Sequence, residues 1–145
     1  MKKIIITLAV ALSTIGSFAR EVKVNSKVLD AFTTEFAAAK DVTWTEGNDF
    51  YKAAFVYNDQ HVFAFYSTEG ELMGLTRYIS SLNLPVNLQA GLKKGYSNYW
   101  ISDLFEVSNN EGTGYYITLE NADATIVLKS TGGNNWSVYK KTIKA

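Results

Sequence analysis

The stretch that decides the fold is Phe50–Ile79, with the sequence FYKAAFVYNDQHVFAFYSTEGELMGLTRYI. It contains three runs of alternating apolar and polar residues, separated by the turn-forming segments Asn58–His61 and Glu69–Gly70. Turn residues this closely spaced between alternating runs predict a meander of β-hairpins. A further alternating run, Val42–Thr45, comes just before this stretch and predicts a fourth strand.

A helix is predicted ahead of these four strands. Val28, Leu29, Phe32 and Phe36 fall at helical spacing and form one apolar stripe. Ser26 is a good candidate for the N-cap, because its hydroxyl can accept a hydrogen bond from an unpaired N–H group of the first turn. The first half of the chain is therefore predicted to be one helix followed by four strands.

The second half of the chain repeats this order. Leu84-Pro85 predicts a helix start, and the apolar stripe continues through Leu88, Leu92 and Tyr96. Four strand-like runs follow: Ile101–Ser108, Tyr115–Glu120, Thr125–Lys129 and Trp136–Ile143.

The best local match between the halves pairs Ser67–Gly70 with Ser130–Gly133. The pattern predicts an α+β domain of two tandem repeats, residues 26–80 and 83–145. We expect one antiparallel sheet of about eight strands, with both helices packed on one face and the other face open.

Strand alternation divides the side chains between the two faces of this sheet. One set is almost entirely apolar, includes Phe63, Phe65 and Phe105, and is predicted to lie under the helices. Asp103 shares the parity of Phe105, so we expect a bulge or a late strand start near it. The other set mixes charged, hydroxyl and Tyr side chains.

Tyrosine is rigid and large and keeps a polar tip, which suits a recognition surface. The equally weighted alternative is that these tyrosines pair across strands and stabilise the sheet. The residues predicted to bind a partner are Tyr66, Tyr78, Tyr116, Tyr139, Lys52 and Lys129.

Residues 1–19 have the pattern of a cleaved secretory signal peptide. Lys2 and Lys3 precede a short apolar run, and Ser17-Phe18-Ala19 offers small residues at the cleavage site. The predicted mature chain, residues 20–145, is a single domain in the periplasm or outside the cell, with no membrane insertion after cleavage. Its 12 Lys and Arg against 14 Asp and Glu argue against nucleic acid as a partner.

The sequence lacks a recognisable catalytic constellation. Its single His, His61, lies in a predicted turn, and it has no Cys, so we predict no enzyme activity, catalytic residue, metal or cofactor. Asp59, Glu111 and Asp123 are loop acids that suit ordinary turns better than a Ca²⁺ site. Arg77 is expected either to pair with an acid such as Glu106 or to bind a carboxylate of a partner.

One further set of positions is spread along the chain: Phe32, Phe36, Ala39, Val42-Thr43-Trp44, Phe50–Phe55, Arg77-Tyr78-Ile79, Leu84-Pro85 and Trp136–Lys140. At these positions the chain resembles the PepSY-like, beta-lactamase-inhibitor-like family of small secreted proteins of Bacteroides-type bacteria. It implies helices on one face of a single antiparallel sheet, an open opposite face, and a binding or inhibitory role. Because some relatives are described as calcium-regulated periplasmic proteins, it also leaves a calcium-linked role open.

Two binding functions are therefore predicted. The first is capture of a protein or peptide, such as an envelope peptidase that would be inhibited, through the open sheet face. The alternative is a carrier of small apolar ligands, with a pocket between helices and sheet. That pocket would be lined by Phe32, Phe36, Phe55, Phe65 and Trp136. The sequence leaves the oligomeric state open, because an open sheet has two edges that can pair with another chain.

Overall fold

A computed structural model describes residues 22–145. The signal peptide predicted at residues 1–19 lies outside the described residues. The chain forms two compact units, unit 1 ending at Thr76 and unit 2 running from Arg77 to Ala145. The finer division into repeats at residues 26–80 and 83–145 stays a prediction.

The described residues contain two α-helices, one short 3₁₀ helix and eight strands. The helices are α1 (Ser26–Glu35), the 3₁₀ helix (Ser81–Asn83) and α2 (Val86–Gly95). The strands are β1 (Lys40–Glu46), β2 (Phe50–Tyr57), β3 (Gln60–Ser67), β4 (Leu72–Tyr78), β5 (Trp100–Asn109), β6 (Gly112–Glu120), β7 (Ala124–Thr131) and β8 (Ser137–Ile143).

The order of the strands in the sheet is their order in the chain, β1 to β8. The prediction of an antiparallel, eight-stranded α+β fold with two helices is confirmed. The pairing of β5 with β6 shifts register between Ile101 and Asp103, which confirms the irregularity expected there. The β2–β3 hairpin turns through Asn58 and Asp59, whose φ angles of 50° and 62° are those of a two-residue turn of the type I′ class.

In unit 1 the start of α1 is held by the turn between β3 and β4. Asn25 is the N-cap, because its side chain accepts a hydrogen bond of 3.0 Å from the N–H of Val28, so the predicted cap at Ser26 is wrong. The Asn25 amide also donates to the carbonyl of Thr68 at 2.9 Å. A Cβ on Gly70 would lie 2.8 Å from the carbonyl oxygen of Lys27, so only glycine allows this close approach.

The core of unit 1 is an aromatic cluster around Phe32. The Phe32 ring lies 5.2 Å from that of Trp44, 5.0 Å from that of Phe55 and 6.4 Å from that of Tyr66. Tyr66 is therefore buried beneath α1, and its predicted place on the open face is wrong. The register explains the error: Tyr66 is paired directly with Tyr51, and directly paired residues point to the same face.

In unit 2 the start of α2 is held by the β7–β8 turn. The side-chain amide of Asn87 donates to the carbonyls of Gly133 and Asn134, both at 2.7 Å. The indole N–H of Trp136 donates to the carbonyl of Leu88 at 2.9 Å. Gly91 leaves room for this indole, since a Cβ there would lie 3.2 Å from the Trp136 ring.

The core of unit 2 fixes which face of its strands lies under α2. Leu104 of β5 is paired with Ile117 of β6, and Ile117 with Leu128 of β7; all three pack in one cluster with Leu88. Because neighbouring residues along a strand point to opposite faces, Phe105 lies on the face away from α2. The prediction that placed Phe105 under the helix is wrong.

Candidate binding surface

Four aromatic rings lie in a row on the face of unit 2 that points away from α2, termed here the helix-free face. The rings of Phe105 and Tyr116 stack at 5.4 Å with an interplanar angle of 11°. Tyr139 meets Tyr116 edge-on at 5.7 Å. Tyr78 meets Phe105 edge-on at 6.5 Å. Tyr78, Phe105, Tyr116 and Tyr139 are called the aromatic row below.

The inner and outer rings of the aromatic row differ in accessibility. Phe105 and Tyr116 are only 8% and 6% exposed, so their orientations are fixed by packing. Tyr78 is 56% exposed, and Tyr139 is half-buried. The row thus presents two accessible tyrosines on a rigid aromatic base, a geometry that limits the side-chain entropy lost on binding.

The hydroxyls of Tyr78 and Tyr116 remain protonated at neutral pH. Burial raises the pKa of Tyr116, and the neighbouring Tyr139 raises it further. Burial also raises the pKa of Tyr78, with a smaller contribution from the charge of Asp103. In this protonated state each hydroxyl is a hydrogen-bond donor.

Two charged residues border the aromatic row. The Lys129 Nζ lies 5.8 Å from the centre of the Tyr139 ring, within the range of a cation–π interaction. Lys129 is paired with Tyr116 across β6 and β7, so both side chains lie on the helix-free face. Asp103 is half-buried beside the row, and this burial raises the pKa of its carboxyl group, whereas a hydrogen bond from the backbone of Leu104 lowers it.

Of the six predicted partner-binding residues, four lie together on this face: Tyr78, Tyr116, Tyr139 and Lys129. Lys52 belongs to unit 1, where its Nζ lies 4.6 Å above the ring of Phe63 and burial lowers its pKa. Lys52 is paired with Phe65, and both point away from the face that carries Tyr66. Phe63 and Phe65 were predicted to lie under α1, and this prediction is also wrong.

Tyr66 has a structural environment that excludes it from the surface. It is fully buried, and its hydroxyl lies 3.4 Å from the Glu35 Oε1 of α1. Burial is the largest cause of its raised pKa, and the charge of Glu35 adds to it.

Arg77 is engaged by Glu106. Its Nε donates to Glu106 Oε1 at 3.0 Å and its second guanidinium nitrogen, Nη2, donates to Oε2 at 3.3 Å. This two-point contact raises the pKa of Arg77. It corresponds to the expected pairing with an acid rather than to an anchor for a partner's carboxylate.

The apolar pocket predicted between helix and sheet is not formed by the residues assigned to it. Phe32, Phe36 and Phe55 pack against one another at ring distances of 5.0–5.6 Å. Phe65 lies on the opposite face, and Trp136 packs against the core of unit 2. These residues therefore form ordinary core contacts.

Sequence comparisons find no match for this chain: no protein-family model matches it, and neither does any curated protein. Solved structures from Bacteroides share its fold. A BLIP-like protein from Bacteroides fragilis matches with a TM-score of 0.71 and 15% identity, over 84% of this chain and 87% of that one. A DUF2874 family protein from Bacteroides ovatus matches with a TM-score of 0.74 and 17% identity, over 84% and 89%.

A third structure, from Bacteroides eggerthii and named as a candidate periplasmic protein, matches with a TM-score of 0.73 and 14% identity. It covers 84% of this chain and 90% of its own. At these identities the similarity shows the fold alone. The fold of the BLIP-like neighbour agrees with the architecture that the resemblance implied, and the PepSY part of the resemblance stays a prediction.

Two features are absent from residues 22–145. No group of three His, Cys, Asp or Glu side chains in that range is placed to hold a metal ion. None of the helices in the same range is both long and apolar enough to cross a membrane.

Proposed function

We propose that this chain is a non-enzymatic binding module that recognises a protein or peptide through the helix-free face of unit 2. The observation that carries the proposal is the aromatic row, in which Phe105 and Tyr116 support the accessible rings of Tyr78 and Tyr139. Tyrosine is one of the residue types enriched among the hot spots of protein interfaces.

The chemistry of the aromatic row indicates which groups of a partner would bind to it. Its rings offer apolar faces, its hydroxyls donate hydrogen bonds, and Lys129 supplies a positive charge at one side. We expect the partner to insert an apolar or aromatic side chain against Tyr78 and Tyr139, with a carboxylate near Lys129. The BLIP-like neighbour supports a protein as the kind of partner, by analogy of fold.

The compartment suggests the class of partner. If the predicted signal peptide is cleaved, the mature chain meets proteins of the periplasm or the cell exterior. The name of the neighbour from Bacteroides eggerthii agrees with that compartment. We therefore propose an envelope or secreted protein as the partner, with an envelope peptidase inhibited by the contact as the specific form of the hypothesis.

Affinity capture with matched variants tests the proposal. The test variant carries Tyr78→Ser and Tyr139→Ser, and the control variant carries Leu29→Ser and Val86→Ser, which remove exposed apolar residues from the two helices. Removing hot-spot residues typically costs more than about 2 kcal/mol, roughly a 30-fold loss of affinity. Each immobilised variant is exposed to native periplasmic extract, and its melting temperature confirms that it is folded.

The expected result is a protein captured by the wild type and by the control variant but lost from the test variant. Equal capture by the test and control variants, with both folded, would refute the proposal. Tyr116 is left unchanged in this design, because it is nearly buried and its truncation would also destabilise the sheet.

A further inference from the structure

A separate cavity opens in unit 2 beside the C-terminal half of α2. Its volume is about 410 Å³, within the usual range for small-molecule sites. Leu92 of α2, Ile101 of β5 and Leu119 of β6 line it, and Leu82 of the 3₁₀ helix stands at its edge. Because Leu119 belongs to the core cluster under α2, this α2 cavity lies on the opposite face from the aromatic row.

The walls of the α2 cavity are held by contacts within the protein. The side-chain amide of Gln89 donates to the carbonyl of Leu84 at 2.9 Å and to that of Leu82 at 3.4 Å, which fixes the 3₁₀ segment against α2. On the other side, the rings of Tyr96 and Tyr99 meet edge-on at 5.8 Å. A cavity whose walls are already ordered loses little entropy when a ligand enters.

The lining selects for an apolar ligand. Leu82 is 82% exposed and Ile101 is also exposed, so two large aliphatic side chains meet water at the mouth of the cavity. Covering such surface is favourable in proportion to the apolar area removed from water. The ligand therefore needs a hydrocarbon segment that contacts both the mouth and the Leu92 and Leu119 side chains.

The lining also selects the sign of the ligand's charge. Lys93 is the one charged residue among the lining residues, all of which lie in the described part of the chain. Lys93 is in the last turn of α2 and is exposed at the rim. We propose that the α2 cavity binds the hydrocarbon chain of a free fatty acid, whose carboxylate pairs with Lys93 Nζ.

Calorimetric titration of the full mature chain with decanoate tests this proposal. The expected result is saturable binding that is weaker for decyltrimethylammonium, which has the same chain length and the opposite charge. Leu82→Ala is expected to weaken decanoate binding about fivefold or more, through lost apolar contact. Val86→Ala is its matched control, because Val86 is 80% exposed in the same region but does not line the cavity.

A second pair of variants tests the charge. Lys93→Gln is expected to weaken decanoate binding about twofold to fivefold, the range of an exposed ion pair. Lys94→Gln, also in the last turn of α2 but outside the lining, is expected to change nothing. All four substitutions are at exposed positions, so loss of the fold is not expected to obscure the comparison.

Three results would overturn the proposal: no saturable binding of decanoate, equal effects of Leu82→Ala and Val86→Ala, or equal affinity for the cationic amphiphile. The Tyr78→Ser, Tyr139→Ser variant is expected to bind decanoate as the wild type does. Failure of the fatty-acid site would therefore leave the proposed protein-binding surface untouched, and the reverse also holds.

Discussion

Replacement of Tyr66 tests the strand register on which the assignment of faces depends. Tyr66 is fully buried, and its ring lies 6.4 Å from that of Phe32 and 6.3 Å from that of Trp44. Truncating a buried aromatic residue to alanine removes its apolar contacts and leaves a cavity, at a cost of about 3–5 kcal/mol. We expect Tyr66→Ala to lower the free energy of unfolding by this amount.

A smaller change at the same position separates packing from hydrogen bonding. Tyr66→Phe keeps the ring and removes only the hydroxyl, whose contact with Glu35 is long, at 3.4 Å. The expected loss is about 0.5–1 kcal/mol, below the usual range for a hydrogen bond to a charged group, because the contact is long. The exposed Tyr78→Ala serves as the control, and we expect it to cost less than about 1 kcal/mol.

Urea unfolding followed by tryptophan fluorescence measures these losses, since Trp44 lies against Tyr66 and reports on this core. A loss below about 1 kcal/mol for Tyr66→Ala would refute the register. It would place the ring on the solvent face, where the alternation of the sequence alone predicts it.

Three further predictions follow from buried or edge residues. Stability should fall as the pH rises above about 10, because Tyr66 ionises at its ordinary pKa when unfolded but at a raised pKa when folded. Melting curves at a series of pH values should show a smaller fall in stability for Tyr66→Phe. A fall equal to that of the wild type would contradict this. The buried hydroxyls of Ser130 and Thr76 have no hydrogen-bond partner among residues 22–145. Ser130→Ala and Thr76→Val should therefore each raise the free energy of unfolding by about 1 kcal/mol. A lower free energy of unfolding in urea titrations would contradict this. Lys140 and Lys141 lie on the edge strand β8, where their charges disfavour pairing with a strand of another chain. Replacing both with Val should therefore give heavier species than the wild type in analytical ultracentrifugation at equal concentration. Identical sedimentation of the variant and the wild type would refute this role.

The helices and strands of this fold were predictable because their signals are local. The apolar stripes predicted both helices. The turn residues between the alternating runs predicted all eight strands in order. In each unit an asparagine side chain binds the start of the helix to a hairpin turn: Asn25 does so in unit 1 and Asn87 in unit 2. These two turns, Ser67–Gly70 and Ser130–Gly133, are the segments that match best in the sequence. The tandem duplication itself stays a prediction.

The faces of two strands were assigned wrongly, for a reason that the sequence contains. The β2–β3 turn has two residues, Asn58 and Asp59, which pairs Phe55 with Val62. That register places Phe63 and Phe65 opposite to Phe55. Counting apolar residues favoured the reverse assignment, because both faces of β3 carry aromatic side chains and alternation alone cannot distinguish them.

In β5 the informative residue was Asp103. Its carboxylate does not suit a face covered by a helix, and the sequence therefore predicts a bulge or a late strand start there. The structure shows the bulge, but Asp103 and Phe105 both lie on the helix-free face, while Leu104 packs under α2. The contribution of Phe105 to the aromatic row was missed because an apolar side chain was assumed to lie under a helix, and open sheet faces also carry such residues.

Site-specific photocrosslinking in living cells tests the proposed function most directly. A photoreactive phenylalanine analogue is placed at Tyr78, which is exposed on the helix-free face, or at Val86, which is exposed on α2. The account predicts a covalent adduct to a specific envelope protein from position 78 and none from position 86. Adducts from position 86 alone, or the same adducts from both positions, would contradict the claim that the aromatic row is the binding surface.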